Sequence, residues 1–156
     1  MGVATTLKDY LSSLRLNYDT ISHTHSDSSL RTAEAAHVPG DRVAKSLLLG
    51  DEQSYILVVI PASHRLEVDK LNQQTSRQLV MVSEEEIEST FSDCEKGAIP
   101  AAGEAYGIDT VVAAELLNQD EVYFESGDHE HLLRMTGEQF RKLMKFAQPM
   151  QVSQHL

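Results

Sequence analysis

The sequence is poor in cysteine, in positive charge and in long apolar runs. Cys94 is the only cysteine among 156 residues, which excludes an intrachain disulfide and a CxxC metal knuckle. No apolar stretch approaches the ~20 residues that span a bilayer. Residues 1–10 lack the basic and apolar segments of a secretory signal. We therefore expect a soluble, cytoplasmic protein with no membrane partner.

Positive charge is scarce relative to negative charge. Thirteen Lys and Arg residues face 24 Asp and Glu residues, which gives a formal net charge of −11. Binding along a phosphate backbone depends on Lys and Arg releasing counterions, so this composition excludes strong binding over a long footprint. A nucleic-acid partner would have to be held at an end, in a pocket.

The sequence also lacks a P-loop and a GxGxxG motif, so nucleotide cofactors of those kinds have no support. What is present is an ordinary globular balance, with 41% hydrophobic and 24% charged residues. The length suits one domain. We assign it to residues 1–150 and treat residues 151–156 as a frayed tail.

Strand and helix patterns mix without strict βαβ alternation. Apolar runs at residues 43–49 and 55–60, separated by Gly50-Asp51, predict a hairpin. Helix starts are indicated by an N-cap at Thr6 and by two capping boxes, one at residues 83–86 and one at residues 136–139. These patterns favour an α+β (mixed α/β) domain with a mixed or barrel-like sheet over a doubly wound parallel sheet.

Two histidine pairs raise the possibility of a metal site. His23 and His25, and likewise His129 and His131, are spaced by two, which puts both rings on one face of a strand. Neither pair has the HExxH spacing of a helical site. Hydrogen-bonding or surface histidines are the favoured interpretation, and we predict no metal and no other cofactor.

Cys94 is a candidate nucleophile because histidines occur elsewhere in the chain. It follows a predicted helix end and stands between Asp93 and Glu95. Both surroundings oppose a thiolate. A semi-buried structural cysteine is the favoured interpretation.

Two stretches carry the stronger signal for a ligand site. Lys45 lies inside an apolar strand, where a lysine either extends to solvent or points into a polar cleft. The glycine–proline loop, residues 97–103, has glycines at both ends and small residues between them, which allow a backbone to approach a ligand and offer N–H groups. Together they suggest a site for a carbonyl or ester, with a cation for a phosphate.

The order and spacing of three segments, residues 44–49, 97–103 and 127–132, resemble the YbaK family. Its members are aminoacyl-tRNA deacylases related to the editing domain of bacterial prolyl-tRNA synthetases. The resemblance runs from about His23 to Met144. It implies a single domain with a mixed, barrel-like sheet surrounded by helices. It also implies hydrolysis of the ester between a mischarged amino acid and the 3′ end of a tRNA, with a synthetase as a further candidate partner.

The resemblance also implies roles for particular residues. The family's lysine corresponds to Lys45, which would hold the terminal adenosine or its phosphate, and the loop backbone would face the acyl carbonyl and the attacking water. The reaction would use water and the ribose hydroxyl of the substrate, without a protein nucleophile or a metal. The catalytic candidates are Lys45, Gly97, Ala98, Ile99, Pro100 and Gly103. The substrate-binding candidates are His25, Ser26, Ser46, Ala101, Ala102 and His129.

An activated ester requires mainly positioning and oxyanion stabilisation, which agrees with the absence of a recognisable triad. Pocket volume would then set specificity, with walls at residues 24–29 and 129–131. The rival interpretation is a non-catalytic module of the same fold that recruits tRNA, a synthetase or a signalling partner. The acidity of the chain favours this rival, whereas Lys45 and the glycine–proline loop favour the enzyme.

Overall fold

The computed structural model describes residues 3–25 and 28–156, except for the side chains of Ser29 and Leu30. Within these residues the α-helices are α1 (Thr5–Ser13), α2 (Ser29–Ala35), α3 (Val68–Thr75), α4 (Glu84–Thr90) and α5 (Gly137–Leu143). The strands are β1 (Asp19–Ser22), β2 (Val43–Gly50), β3 (Tyr55–Pro61), β4 (His64–Leu66), β5 (Val80–Met81), β6 (Asp109–Ala113), β7 (Glu121–Glu125), β8 (His131–Thr136), β9 (Gln148–Met150) and β10 (Ser153–His155). Short 3₁₀ helices occupy Gly40–Arg42, Gly103–Tyr106 and Ala114–Asn118.

One mixed sheet organises the described part of the chain. Its strands follow the order β1-β8-β7-β2-β3-β6-β9, and β5 pairs with β2 as an eighth strand. The β2–β7, β3–β6 and β6–β9 pairs are parallel, whereas the other pairs of this sheet are antiparallel. The prediction of a single mixed α/β domain is confirmed. The predicted hairpin is also confirmed, because β2 and β3 pair antiparallel from Ala44 opposite Pro61 to Gly50 opposite Tyr55.

The pairing of β2 with β7 decides which side chains share a face of the sheet. Val43 lies opposite Tyr123 and Ala44 lies opposite Phe124. Because successive side chains point to opposite faces, the side chains of Lys45 and Glu125 lie on the same face of the sheet as those of Val43 and Tyr123. The side chain of Ser46 lies on the opposite face, with those of Ala44 and Phe124.

The two faces are covered by different apolar clusters. The face of Ala44 and Phe124 belongs to the main core, which continues through Leu48 and Leu57. The face of Val43 and Tyr123 carries a small cluster, formed by Ala33 of α2 together with Val43, Ala62, Tyr123 and Leu132. Burying one large apolar side chain contributes about 1.5–3 kcal/mol, so the main core supplies most of the stability. The smaller cluster leaves room beside it for polar side chains.

Both predicted capping boxes begin helices in the structure. The Ser83 hydroxyl accepts a hydrogen bond from the Glu86 amide at 3.2 Å, at the start of α4. The Thr136 hydroxyl accepts one from the Gln139 amide at 3.2 Å, at the start of α5. These bonds satisfy amides that the first helical turn would otherwise leave unpaired.

The predicted N-cap at Thr6 is wrong. Helix α1 begins at Thr5, and its N-cap position is Ala4, which makes no side-chain cap bond. The amide of Thr6 donates instead to the Asp93 carboxylate at 2.9 Å. A side chain 87 residues away therefore supplies the cap, which local sequence does not reveal.

The C-terminal tail is not frayed as expected. Strand β10 pairs antiparallel with β4, with Ser153 opposite Leu66. The Ser153 hydroxyl lies 2.8 Å from Nδ1 of His64, and His155 Nε2 lies 3.1 Å from the Asp41 carboxylate. Three-residue strands carry too little alternation to be predicted, so the pairing partner decides the conformation. No helix in the described ranges combines the length and hydropathy needed to cross a membrane.

Candidate active site

The ammonium group of Lys45 is held by backbone carbonyls rather than by a carboxylate. Its Nζ donates to the carbonyl of His64 at 2.5 Å and lies 3.5 Å from that of Ala62. The side chain is half-buried, and this burial lowers the pKa of Lys45 below its ordinary value of 10.5. In residues 3–25 and 28–156 no acidic side chain pairs with it. The positive charge is therefore positioned but not neutralised.

The glycine–proline loop is fixed by its side chains and leaves backbone donors unused. Ala98, Ala101 and Ala102 are buried in or against the core, and the Pro100 carbonyl accepts a hydrogen bond from the Ser46 hydroxyl at 3.2 Å. Among the residues described, the amides of five loop positions donate to no other residue; these are Gly97, Ile99, Ala101, Ala102 and Gly103. Gly97, at the exposed end of the loop, can therefore offer its N–H group to a ligand without rearranging.

Gly103 ends the loop at a point with no room for a side chain. A Cβ atom there would lie 2.2 Å from the Thr110 hydroxyl and 2.8 Å from the carbonyl of Ile108. Only glycine allows this close approach of the loop to β6. Residues Gly103–Tyr106 form a short 3₁₀ helix at the end of the loop.

His129 connects the loop to the turn between β7 and β8. It is only 6% exposed, and its backbone adopts the left-handed conformation with φ +61°, which a non-glycine residue adopts at a cost. Its Nε2 donates to the carbonyl of Lys96 at 2.5 Å. A Cβ atom at Gly97, where φ is +81°, would lie 3.4 Å from the same nitrogen. The imidazole therefore packs directly on the first residue of the loop.

Asp128 holds the turn that presents His129. Its carboxylate accepts hydrogen bonds from the amides of Glu130 and His131, each at 3.0 Å, and from the His131 ring at 2.6 Å. Burial alone would raise the pKa of Asp128, but these hydrogen bonds outweigh burial and lower it. The ionised carboxylate therefore fixes the β7–β8 turn.

Glu125 is a site residue that the sequence did not indicate. It is 4% exposed at the end of β7, and its Oε1 accepts a hydrogen bond from the Thr32 hydroxyl of α2 at 3.0 Å. Oε1 also lies 3.8 Å from Nδ1 of His129. Burial raises the pKa of Glu125, and the nearby His129 and His23 partly oppose this rise. Its one sequence signal is its two-residue spacing from Tyr123, a buried position on the same face of β7.

The structure brings several of the predicted site residues together. Gly97 packs on His129, and the His25 ring meets the His129 ring edge-on with centroids 5.5 Å apart. Ser46 contacts Pro100, but on the opposite face of β2 from Lys45. Lys45 instead shares its face with Glu125. Ser26 lies outside the described residues.

The histidine pairs do not converge as metal ligands. The His131 ring hydrogen-bonds to the Asp128 carboxylate, whereas the His129 ring donates to the carbonyl of Lys96. Among the side chains described, no three His, Cys, Asp or Glu residues are arranged to hold a metal ion. Hydrogen-bonding roles account for His129 and His131.

Cys94 is poorly suited to nucleophilic attack. Burial, followed by the nearby Asp93 carboxylate, raises the pKa of Cys94 to about 12. Its Sγ lies 3.5 Å from the Tyr106 hydroxyl. Because the thiolate is the reactive form, the group is almost entirely unreactive at neutral pH.

We expect iodoacetamide to alkylate Cys94 in the folded protein at pH 8 at least about tenfold more slowly than a free cysteine, because little thiolate is present. Mass spectrometry of the intact protein over time measures this rate. The protein unfolded in guanidinium serves as the control and should react at the rate of a free thiol. Fast alkylation of the folded protein would show that burial does not suppress this thiol.

The structure is a small mixed α/β domain that carries a fixed glycine–proline loop, an anchored lysine and a buried acid–imidazole pair. The aminoacyl-tRNA editing domain is the family whose pattern matches this sequence, over residues 23–143. The chain belongs to that family. A comparison with curated protein sequences found no significant match.

Solved structures show the same fold at low sequence identity. A proposed trans-editing enzyme for prolyl-tRNA synthetase matches with a TM-score of 0.82 and 19% identity, covering 97% of this chain and 96% of that one. A proposed signal transduction protein from Marinobacter aquaeolei matches with a TM-score of 0.79 and 19% identity, covering 95% of this chain but 30% of that protein. A scaffold used for epitope grafting matches with a TM-score of 0.81 and 17% identity, over 98% of this chain and 97% of that one.

Proposed function

We propose that the protein is a trans-editing deacylase, which hydrolyses the ester between a mischarged amino acid and the 3′ end of a tRNA. The observation that carries the proposal is the glycine–proline loop, which is rigidly held yet has unused amides beside His129. Membership of the editing-domain family supports the same reaction. A proposed trans-editing enzyme of the same fold is consistent with it.

In the proposed reaction, water adds to the acyl carbonyl and the bond to the ribose oxygen breaks. The ribose oxygen takes up a proton, and the free amino acid leaves. Loop amides, foremost those of Gly97 and Ile99, donate to the carbonyl oxygen as negative charge develops on it. These donors are preorganised, because Ser46 and His129 already fix the loop at Pro100 and Lys96.

Lys45 supplies the charge that holds the terminal adenosine or its phosphate. Its ammonium is anchored by two carbonyls and has no carboxylate partner in the described part of the chain, so an incoming anion does not have to displace one. Because the net charge is −11, the protein binds the tRNA only at its 3′ end, through this contact with Lys45. A synthetase that presents the tRNA is a candidate partner for the same reason.

A panel of mischarged tRNAs tests the proposal. Each is incubated with excess protein, and release of the labelled amino acid is compared with spontaneous hydrolysis, with and without EDTA. We expect at least one aminoacyl-tRNA to be consumed about 100-fold faster than spontaneously, with no effect of the chelator. Binding of tRNA without acceleration on any member would favour the non-catalytic module, and loss of activity with EDTA would favour a metal-dependent hydrolase.

A further inference from the structure

Within residues 3–25 and 28–156, three buried polar atoms at and around Glu125 have no hydrogen-bond partner. They are His23 Nε2, Glu125 Oε2 and His129 Nδ1, and we call them the acceptor cluster. His129 Nδ1 lies 3.8 Å from the other oxygen of the Glu125 carboxylate, and both His23 and His129 act electrostatically on Glu125. Unpaired buried polar atoms destabilise a folded protein, so three at one place indicate a missing partner.

The hydrogen bonds of the two histidines determine what kind of partner fits. Nε2 of His129 faces the Lys96 carbonyl, and Nδ1 of His23 faces the Thr24 carbonyl at 2.7 Å. A ring nitrogen that faces a carbonyl must carry the proton, so each remaining nitrogen presents a lone pair when the ring is neutral. The third member is a carboxylate oxygen. All three atoms of the cluster are therefore acceptors.

Three acceptors with one negative charge match a group that has three N–H donors and a positive charge. An ammonium group satisfies all three, whereas a water molecule has two protons and leaves the carboxylate charge uncompensated. The cluster also lies beside Gly97, through the contact of His129 with the loop. In an aminoacyl ester the α-ammonium nitrogen is two bonds from the carbonyl carbon, so a carbonyl held at the loop places this nitrogen next to the cluster.

We propose that the acceptor cluster binds the α-ammonium group of the aminoacyl ester, with Glu125 as the residue that makes a free amine a requirement. This assignment rests on the deacylase function proposed above. The ammonium enters past His25, whose side chain is 56% exposed and packs edge-on against His129. Esters whose nitrogen is acylated or replaced are then poor substrates, since they have too few donors and no charge for Glu125.

The test uses the aminoacyl-tRNA that the wild-type protein hydrolyses fastest, together with its α-hydroxyacyl counterpart prepared by nitrous acid deamination. Each enzymatic rate is divided by the spontaneous rate of the same ester, because the ammonium itself activates the ester. We expect the wild-type protein to prefer the ammonium substrate by about 100-fold or more, since unpaired acceptors in a site strongly reject an analogue without the donors. Equal acceleration of both esters would overturn the assignment.

Glu125→Gln tests the residue itself. The amide has nearly the shape of the carboxylate but no charge, so we expect the preference to fall below about tenfold, mainly through slower hydrolysis of the ammonium substrate. Glu104→Gln is the matched control, because Glu104 is a partly buried carboxyl that also accepts a threonine hydroxyl, from Thr110 at 2.9 Å. It should keep the wild-type preference. An equal slowing of both esters by Glu125→Gln would indicate a structural role and overturn the assignment.

Thermal melting shows whether the variant is folded and makes a second prediction. Burial raises the pKa of Glu125 above its ordinary value of 4.5, so ionising this carboxyl lowers the free energy of unfolding. The loss of stability begins near pH 4.5 and is complete once the pH exceeds the raised pKa. We expect Glu125→Gln to melt at a higher temperature than wild type at pH 7, with the difference disappearing below pH 4.5. A lower melting temperature at pH 7 would show that the carboxylate is satisfied and the cluster complete. Failure to accelerate any charged tRNA would instead remove the deacylase function, and with it this assignment.

Discussion

Lys45→Met is expected to lower kcat/KM for deacylation about 100-fold, because a hydrogen bond between charged groups contributes about 1.5–3 kcal/mol. Methionine keeps most of the volume of the lysine stem while removing the ammonium that rests on the carbonyls of Ala62 and His64. The cost in stability should be small, at about 1–2 kcal/mol, because removing a half-buried charge compensates in part for the lost hydrogen bonds. Single-turnover kinetics and a thermal melt measure both effects.

The matched control is Lys142→Met, which removes an exposed lysine on α5 that lies 3.6 Å from Glu138. It should leave kcat/KM unchanged within about twofold, since an exposed pair at this spacing contributes little. Similar losses in both variants would mean that overall charge, not the placement of Lys45, governs tRNA binding.

The pH dependence of deacylation, measured for the wild-type protein and for Lys45→Met, tests the role of the Lys45 charge directly. Burial lowers the pKa of Lys45 below its ordinary value of 10.5. As pH rises, the ammonium therefore loses its proton earlier than an exposed lysine would. The acceleration over spontaneous hydrolysis should therefore fall on the alkaline side in wild type, and Lys45→Met should lack this fall. An identical alkaline profile in both proteins would exclude Lys45 as the titrating group.

Gly97→Ala is expected to slow hydrolysis about 10- to 100-fold, because small displacements of positioning groups have effects of this size. The glycine has φ +81°, and a Cβ atom would press on His129 Nε2 at 3.4 Å. The substitution therefore displaces either the loop amide or the imidazole that holds the loop. We also expect a loss of about 1–2 kcal/mol in stability from the left-handed backbone.

Gly107→Ala is the control that separates the effect of backbone strain from the effect of displacing the loop or His129. Gly107 has φ +72°, but a Cβ atom there would meet nothing within 4 Å. Its loss of stability should match that of Gly97→Ala, while its rate should stay within about twofold of wild type. Denaturant unfolding and single-turnover hydrolysis provide the two measurements. Equal rates for the two variants would contradict a role for the contact between Gly97 and His129.

Local sequence was sufficient for the elements that depend on local chemistry. The β2–β3 hairpin follows from two apolar runs around a turn, and helices α4 and α5 follow from side chains three residues apart. The resemblance to the editing family fixed the fold in advance because it covers most of the chain. In each case the deciding information lies within a short window or in the order of motifs.

The rest depends on contacts between distant residues. Thr32 and Glu125 are 93 residues apart, and nothing near either residue indicates their hydrogen bond. The parallel pairing of β2 with β7 puts Glu125 on the same face of the sheet as Lys45 and puts Ser46 on the other face. The C-terminal strand β10 likewise depends on β4. Long-range strand pairing is not encoded in local periodicity, so the buried contact of Glu125 with Thr32 could be found only in the structure.

The most direct test of the central claim is a single-turnover measurement with labelled aminoacyl-tRNA and excess wild-type protein. The claim is that a fixed loop backbone and one anchored cation are sufficient to hydrolyse the ester. We predict first-order release of the amino acid at about 100 times the spontaneous rate for at least one mischarged tRNA, together with intact tRNA as the second product. Saturable binding of that tRNA with the ester decaying at its spontaneous rate would contradict the account.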